Sequence, residues 1–364
     1  MPDGQAILFA SSQPGFRVDG QDRMELSRDL LELEVEESTE GMASLRFTLS
    51  AIGPTRGERD ESLLWLDGRV LDFGKVIEVR MGRAGAQDRV FEGRISAIEL
   101  EMEQGREPQL HVRAEDRLMD LRMTRRFRTW ENATIEDIAQ GIAAQHGLSA
   151  SVDLDGPAQK MLQQWNQTDL AFLRDQAARL AGEIWLDERS IHVAERGRRD
   201  GPSITLIQGA TLIRVAIRAD LAEQRSKVTV GGFDAGDKAT IAEDGEASVA
   251  TSESEGRRTG PSLLESAFGT RDSFRLRDVP LSAAEARAWS RAAMLSRARR
   301  FVQAEGVTDG TPNLRPGARL KLERVGDIFA GEGYRVTRSL HRYDLVNGYR
   351  TLFWAERAGL GSPS

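Results

Sequence analysis

The sequence predicts an α+β protein that is mainly β, with two antiparallel β-barrels, a small α+β domain and an insertion that contains a loop and a helix. Three observations lead to this prediction. Short segments alternate apolar and polar residues, which is typical of half-buried strands. Glycine is frequent, at 35 of 364 residues, and most glycines lie between these segments. One set of segments occurs twice, in a chain long enough for about two to three domains of roughly 150 residues each.

Residues 1–118 are predicted to form the first barrel. The alternating segments here are short and have glycine at their borders, which favours an antiparallel barrel or sandwich. The strand segments are Leu31–Val35, Leu45–Leu49, Val76–Val79, Val90–Phe91, Arg94–Ile98 and Leu110–Ala114.

Residues 119–200 are predicted to form the small α+β domain. Asn132 or Thr134 can cap the first turn of a helix, and Gly147 can take the left-handed position that ends it. The predicted elements are a helix over 132–147, a helix over 168–180 and a hairpin over 184–193.

The second barrel is predicted to be discontinuous, formed by residues 201–232 and 301–364 with the insertion 233–300 between them. The first part of the insertion, 233–262, is rich in Gly, Ser and Glu and has few large apolar residues, so we expect a mobile loop. A capping-box pattern at Ser282 predicts a helix over 282–300. The strand segments are 204–207, 213–217, 228–230, 319–322, 334–340 and 348–356.

Two stretches of the chain share an order of features: a glycine corner, an alternating strand, a strand led by glycine and a closing strand. The two glycines are 19 positions apart in the first stretch and 16 in the second, and the closing glutamate follows after 22 and 23 positions. One interpretation is that any two antiparallel units look alike at this level of detail. The other is a duplicated barrel in one chain. The matched positions are Gly74 and Gly317, Gly93 and Gly333, and Glu115 and Glu356.

Five residues are candidates for structural roles at the barrel corners, because glycine allows tight turns and close approach of backbones. A bulky residue at Gly93 or Gly333 is expected to disturb assembly. The candidates are Gly74, Gly93, Pro316, Gly317 and Gly333.

Composition excludes several classes of protein. The chain has 50 Lys and Arg against 57 Asp and Glu, a net charge of −7, which argues against a nucleic-acid partner. The absence of cysteine excludes a disulfide scaffold, a thiolate metal site and a cysteine nucleophile. The only apolar run near the N-terminus is Ala6–Ala10, without the basic start of a signal peptide, and no stretch approaches the roughly 18 apolar residues of a membrane span. We therefore expect assembly in the cytoplasm and no direct insertion into a membrane.

No catalytic, cofactor or metal site is predicted. The four histidines lie in four different elements, and none has the spacing of a metal site. We assign His341 a structural hydrogen bond. Carboxylates are so numerous that chance pairs are certain, although paired acids are also the groups that hydrolyse glycans. A cell-wall hydrolase and a glycan-binding barrel protein therefore remain alternatives. The histidines are His111, His146, His192 and His341.

Arginines cluster before the first helix of the α+β domain and along the 282–300 helix. Because the chain is acidic overall, salt bridges to a neighbouring subunit explain these clusters better than nucleic acid does. The candidate interface residues are Arg125, Arg126, Arg291 and Arg297.

Four groups of segments occur in an order that one protein family shares. They are Leu71–Gly93; Ala114–Leu118 with Arg125–Arg128; Asp169–Leu173 with Trp185; and Leu314–Gly317 with Gly333–Val336 and His341. With them, the chain resembles the tail-hub family of contractile injection systems, which includes phage late control protein D and the N-terminal hub part of VgrG proteins of type VI secretion. The resemblance runs from about residue 18 to residue 356. VgrG proteins continue into a spike, whereas this chain ends at Ser364, so the resemblance is to the hub alone.

The resemblance implies two tube-like barrels per chain and a structural role without turnover. Three chains would form a homotrimer with six similar barrels, which could match a six-fold partner. The implied partners are the hexameric ring of the inner tube protein, a separate trimeric spike protein and other baseplate proteins. The chain would then belong to a phage tail-like particle.

Overall fold

The computed structural model describes residues 13–54, 61–83, 85–275 and 280–362. The apolar run Ala6–Ala10 lies outside the described residues. The strands of the N-terminal part are β1 (Gly15–Val18), β2 (Gln21–Asp22), β3 (Leu30–Ser38), β4 (Ser44–Ser50), β5 (Ile52–Pro54), β6 (Glu61–Leu63), β7 (Val76–Arg83), β8 (Ala86–Glu101) and β9 (Gln109–Glu115). The middle part contains β10 (Arg125–Ala133), β11 (Ser149–Asp153), β12 (Gln159–Thr168), β13 (Gly182–Asp187) and β14 (Ser190–Glu195).

The C-terminal part contains β15 (Ser203–Ile207), β16 (Leu212–Ala219), β17 (Lys227–Asp234), β18 (Ala239–Glu246), β19 (Arg258–Thr259), β20 (Asp272–Arg275), β21 (Val302–Asp309), β22 (Arg319–Glu323), β23 (Gly331–Asp344), β24 (Gly348–Arg357) and β25 (Gly359–Leu360). The helices are α1 (Met24–Arg28), α2 (Leu118–Arg122), α3 (Ile135–Gln145), α4 (Asp169–Arg179), α5 (Ser248–Thr251), α6 (Gly260–Phe268) and α7 (Ala283–Arg299), with a 3₁₀ turn at Arg196–Arg198. The predicted fold class, α+β and mainly β, is confirmed.

One large sheet of 13 strands organises the molecule. Its order is β16-β21-β24-β23-β3-β4-β9-β8-β7-β1-β2, with β22 paired to β23 and β15 paired to β22. The pairs are antiparallel except that of β15 with β22. The strands predicted for two barrels are therefore continuous with each other, because β3 of the N-terminal part pairs with β23 of the C-terminal part.

Two apolar cores lie against this sheet. The first is built from alternate residues of the N-terminal strands, including Leu33, Phe47 and Ile77, all at most 2% exposed. Tyr343 and Tyr349 of the C-terminal strands also join it. The second core contains Leu320, Tyr334 and Phe353 and the strands around them. The alternation that predicted the strands is thus the alternation between core and outer face.

The middle part has a core of its own. Helix α3 begins at the cap Thr134, whose side chain accepts a hydrogen bond from the Asp137 N–H while the Asp137 carboxylate accepts one from the Thr134 N–H. Of the two predicted caps, Thr134 is the one used. Helices α3 and α4 pack with the three-stranded sheet β11-β14-β13, and β10 pairs with β12.

The predicted mobile loop over 233–262 is wrong. Strand β18 pairs with all of β17, and α5, β19 and the start of α6 follow in the same segment. The few large apolar groups suffice because α7 covers them: Trp289 of α7 packs with Val230 and Ile241. The predicted helix over 282–300 is confirmed as α7, which begins at the cap Ser282.

The segment 228–230, predicted as part of the second barrel, lies in β17 and belongs to the small sheet β18-β17-β20 instead. Helix α7 packs closely on this sheet, since a Cβ at Gly245 would lie 2.2 Å from the Ser290 carbonyl oxygen. Among the described residues, we find no helix that is long and apolar enough to cross a membrane.

Candidate assembly surface

The two predicted corners at Gly74 and Gly317 have the same local geometry. Both glycines have positive φ, +78° and +93°. The Gly74 N–H donates to the Ile95 carbonyl at 2.8 Å, and the Gly317 N–H donates to the Val336 carbonyl at 3.1 Å. The N–H groups of Ile95 and Val336 donate back to the residue that follows each glycine. Each corner thus fixes its meander, β7-β8-β9 or β22-β23-β24, at an equivalent point.

Each corner is also a tight turn that positive φ makes accessible. The Ala318 N–H donates to the Arg315 carbonyl at 3.0 Å, which places Pro316 second and Gly317 third in a four-residue turn. The Lys75 N–H donates to the Asp72 carbonyl at 3.3 Å in the same way. Proline second and glycine with positive φ third are what a type II turn favours.

From these corners the two meanders have the same register. A register shift lies after Ile95 where β8 pairs with β9, and after Val336 where β23 pairs with β24. Ile95 lies opposite Ala114, and Val336 lies opposite Ala355. The next residue of the closing strand is a glutamate in both copies, Glu115 and Glu356.

The equivalence continues through two further strands. β4 and β3 follow β9 in the sheet, and β21 and β16 follow β24. Val35 of β3 lies opposite Leu45, which pairs with Ala114. Ile217 of β16 lies opposite Ala304, which pairs with Ala355. The two residues therefore occupy matching positions. Register shifts again coincide, between Leu30 and Glu32 and between Leu212 and Arg214. The predicted repeat is therefore present as an N-terminal half-sheet (β3, β4, β7, β8, β9) and a C-terminal half-sheet (β16, β21, β22, β23, β24).

One predicted match is wrong, and two predicted corners, Gly93 and Gly333, lie inside strands. Arg94 lies opposite Glu115 and Arg335 lies opposite Glu356, so Gly93 is equivalent to Tyr334 and not to Gly333. Gly93 is not at a turn: it lies inside β8, opposite Ile77. A Cβ there would lie 2.3 Å from the Glu115 carbonyl oxygen, so close backbone approach is what requires glycine.

Gly333 also lies within a strand, β23, with φ +91°. A Cβ on it would lie 3.1 Å from atoms of both Arg257 and Glu255. It is near an irregularity in the pairing of β22 with β23. Positive φ and nearby side chains therefore both favour glycine at this position.

The two half-sheets meet where β3 pairs with the second part of β23. On the outer face, Arg338 lies 2.8 Å from Glu36 and Arg342 lies 3.7 Å from Glu34. On the inner face, His341 lies opposite Val35. The junction is therefore a basic strand beside an acidic strand, above a closed core.

His341 is 1% exposed and lies 2.8 Å from the Tyr349 hydroxyl through Nδ1. Burial lowers the pKa of His341 to about 3, and the charge of Arg315 acts in the same direction. The imidazole is thus neutral near pH 7. The structural hydrogen bond assigned from the sequence is present.

A cavity of 880 Å³ lies beside this junction, lined by Glu37, Phe91, Trp185 and Pro316 among others. Glu37 binds both Arg199 and Arg315, the latter at 2.9 Å. The Glu37 carboxylate thus joins β3 to the turn at Pro316 and to Arg199, whose guanidinium lies 5.0 Å over the Trp185 ring of the β13–β14 hairpin.

Asp116 also lines the cavity, and it is 8% exposed. Burial raises the pKa of its carboxyl to about 6. The carboxylate accepts hydrogen bonds from the N–H groups of Ala43 at 2.7 Å and Leu118 at 2.8 Å. These contacts hold the start of α2 against the connection that leads from β3 into β4. The sequence did not single out Asp116, because its partners are backbone N–H groups and one of them, that of Ala43, is 73 positions away.

The four predicted interface arginines lie in two regions. Arg126 lies 2.8 Å from Asp169, and Arg297 lies 3.3 Å from Glu223, so both pair within the chain. Arg125 donates to the Asn166 carbonyl at 2.7 Å, along the β10–β12 ribbon. Arg291 is exposed on α7. Interface roles for all four arginines stay predictions.

The histidines are dispersed as expected from the sequence. His146 lies 2.9 Å from Asp169, His111 lies 3.0 Å from Glu101, and His192 stacks on Trp185. Burial opposes the charge of Asp169, but hydrogen bonds from Gln164, His146 and Arg126 outweigh it and lower the pKa of Asp169. Across the described ranges, no group of three or more His, Asp or Glu is placed to hold a metal ion.

Solved structures share this architecture over nearly the whole chain. The 43 kDa tail protein of prophage MuSo2 from Shewanella oneidensis has a TM-score of 0.68 at 14% identity, covering 95% of this chain and 98% of that one. The tail protein from Neisseria meningitidis MC58 has a TM-score of 0.63 at 13% identity, covering 96% and 97%. The E. coli c3393 protein, described as a component of the type VI secretion system, has a TM-score of 0.57 at 13% identity, covering 96% and 79%.

The fold is therefore that of phage tail proteins and of a type VI secretion component. A family model described as the Alg8 N-terminal domain matches residues 29–343, which is most of the chain. The chain belongs to this family. No curated protein sequence matches it significantly.

Proposed function

We propose that the protein is a structural component of a phage tail-like baseplate, acting as a trimeric hub between a hexameric inner tube and a trimeric spike. The observation that carries this proposal is the duplication of one half-sheet within a single chain. The two copies are joined edge to edge through β3 and β23. Three such chains in a ring would present six similar half-sheets while keeping three-fold symmetry.

The fold comparisons support the tail-like part of the proposal. Two of the similar structures are tail proteins by description. The third is described as similar to the T4 bacteriophage tail proteins gp27 and gp5. Because the identities are 13–14%, these likenesses concern the fold, and the hub role rests on the duplication.

The mechanism would be symmetry matching and transmission of force. The half-sheets would face the tube ring, and the three-fold arrangement of the chains would face the spike. Rigid corners at Gly74 and Gly317 and the salt-bridged β3–β23 junction would keep the six units in register. Other baseplate proteins would bind the outside, and the exposed Arg125 and Arg291 are candidates for such contacts.

The test is binding to the tube protein. The tagged chain, incubated with purified tube protein from the same particle, should retain tube subunits at six per three hub chains. The trimeric spike protein should join without displacing them. Retention of one tube subunit per chain, with no ring, would contradict the proposal.

We expect no turnover from the hub. The purified chain should leave peptidoglycan intact in a zymogram. Clearing that is lost on substitution of a single Asp or Glu would instead support the hydrolase alternative.

A further inference from the structure

In the described part of the chain, the open strand edges of the large sheet include those of β2 and β15, and two others belong to strands of the repeated half-sheets. Strand β16 is its terminal strand and pairs along its length only with β21. The other edge belongs to the last part of β8, Ala97–Glu101, which extends beyond β7 and pairs with β9 on one side. We call this part the β8 extension. Exposed strand edges have unpaired N–H and C=O groups that favour pairing with another strand.

Because the two half-sheets are equivalent, the contact that one makes within the chain predicts which strand should lie beside each of these two open edges. β8 is equivalent to β23, and β3 is equivalent to β16. Within the chain, the second part of β23 pairs with β3. The equivalent contact joins the β8 extension to β16, but the two are separated by six strands of the same sheet. Only a second copy of the chain can complete it.

We propose that the β8 extension of one chain pairs antiparallel with β16 of a second copy, in the register of the β3–β23 junction. This inference rests on the proposed ring and names its subunit contact. His341 corresponds to Leu100 and Val35 to Ile217, so Leu100 lies opposite Ile217 of the second copy. Glu99 then lies opposite Arg218, and Glu101 lies opposite Ala216. The contact is head-to-tail, which closes into a ring when the rotation per chain is one third of a turn.

The two faces of the strands agree with this register. Ile98 and Leu100 are on the core face of β8, opposite the buried Val112 and Leu110 of β9. Val215 and Ile217 are on the core face of β16, opposite Gly306 and Ala304 of β21. A shift of one residue would place apolar side chains against charged ones. The pairing would also cover apolar surface that is open in one chain, since Leu100 is 36% exposed.

Charge complementarity favours the same pairing. At the junction within the chain, β23 supplies arginines and β3 supplies glutamates. At the open edges the signs are reversed: the β8 extension carries Glu99 and Glu101, and β16 carries Arg214 and Arg218. In the single chain, Arg214 lies 3.6 Å from Glu305, and Arg218 lies 2.9 Å from Gln303 and 4.0 Å from Asp220. In the ring, Glu101 would lie diagonally between Arg214 and Arg218, so opposite charges would face each other at every junction.

Charge reversal tests the pairing in solution. Glu99→Arg with Glu101→Arg, or Arg214→Glu with Arg218→Glu, places like charges across the contact and should weaken trimer formation by about ten-fold or more. The chain with all four substitutions should regain the trimer, because the charges are opposite again. Exposed acids elsewhere, Glu136→Arg with Glu265→Arg, form the control and should leave the trimer unchanged.

A cysteine pair tests the register, since the natural chain has no cysteine. Glu101→Cys with Ala216→Cys should form disulfides between chains on oxidation and give a covalent species of three chains on a non-reducing gel. Glu34→Cys with Arg342→Cys occupies the equivalent position inside one chain and should close without any increase in mass. Glu101→Cys with Ile217→Cys has side chains on opposite faces and should not link.

The outcomes separate this inference from the proposed hub. The edge pairing would be overturned if the trimer survived both charge reversals. It would also be overturned if Glu34→Cys with Arg342→Cys closed within the chain while Glu101→Cys with Ala216→Cys did not link chains. The hub would still stand if tube subunits were retained in the ratio given above. If the unmodified chain neither formed a trimer nor retained tube subunits, both the edge pairing and the proposed hub would be overturned.

Discussion

At the scale of single residues, the fold depends on a few positions where the backbone geometry favours glycine. Gly74 and Gly317 need positive φ, and Gly93 needs space beside the Glu115 carbonyl. The sequence singled out all three as glycines between strands, but it did not distinguish a turn from a close approach. That distinction depends on a strand pairing which the local sequence does not encode.

Replacing Gly74 or Gly317 by alanine should destabilise the fold by about 1–2 kcal/mol, because a side chain disfavours the left-handed conformation. Chemical denaturation followed by circular dichroism measures this change. Gly197→Ala is the control, since its φ is not positive and its Cβ would meet no atom within 4 Å. Equal stability of Gly74→Ala and Gly197→Ala would refute the role of the corner.

His341 should make stability depend on pH. Its folded pKa, about 3, is below its ordinary value of 6.5, because burial opposes the charged form. The neutral imidazole therefore contributes fully above pH 6.5, and this contribution is lost as the pH falls toward 3. One such group changes the free energy of unfolding by up to about 2 kcal/mol between pH 6.5 and about pH 5.

The measurement is urea denaturation across this pH range for the natural chain and for His341→Gln. The difference in free energy of unfolding between the two should shrink as the pH falls, because the glutamine does not titrate. Trp165→Ala, which changes an exposed side chain that does not titrate, should keep the natural pH dependence. A constant difference for His341→Gln would argue against a buried neutral histidine.

At the scale of elements, the insertion is held by one aromatic side chain of α7. Trp289 is 7% exposed, packs on Val230 and Ile241, and lies under Arg179 at 5.0 Å. This contact orders a segment whose own composition predicted a loop.

Trp289→Ala should destabilise the insertion by about 3–5 kcal/mol, because it leaves a cavity between α7 and the small sheet. Hydrogen exchange should then become faster at β18 while the large sheet stays protected. Trp165→Ala is the matched control, since that tryptophan is 69% exposed, and it should change stability by no more than about 0.5 kcal/mol. Unchanged exchange at β18 in Trp289→Ala would show that other contacts order the insertion.

The elements that the sequence predicted best carry local signals. The caps Thr134 and Ser282 mark the starts of α3 and α7, and alternation marks the strands. The ordered segment 239–268 was missed because it is stabilised by distant residues and not by its own apolar content. The pairing of β3 with β23 joins residues about 300 positions apart, so no local pattern could predict it.

At the scale of the whole molecule, this chain and the similar solved structures share their architecture although their sequences differ at most positions. The similar tail structures share 13–14% identity yet align over at least 95% of this chain. A few features of the chain thus specify the fold. They are the alternation of apolar and polar residues, the glycine corners and the register shifts that the two half-sheets share. The same features allow one half-sheet to be used twice, and the open edges of the β8 extension and β16 carry residues of opposite charge.

The central claim is a ring of three chains, and the mass of the purified protein tests it most directly. Native mass spectrometry over a range of concentrations should give a species of three times 40.3 kDa that increases with concentration. The head-to-tail contact predicts that any dimer is a minor intermediate, because closing the ring forms two further contacts at once. A chain that stays at 40.3 kDa at every concentration, or whose assembly stops at a dimer, would contradict the account.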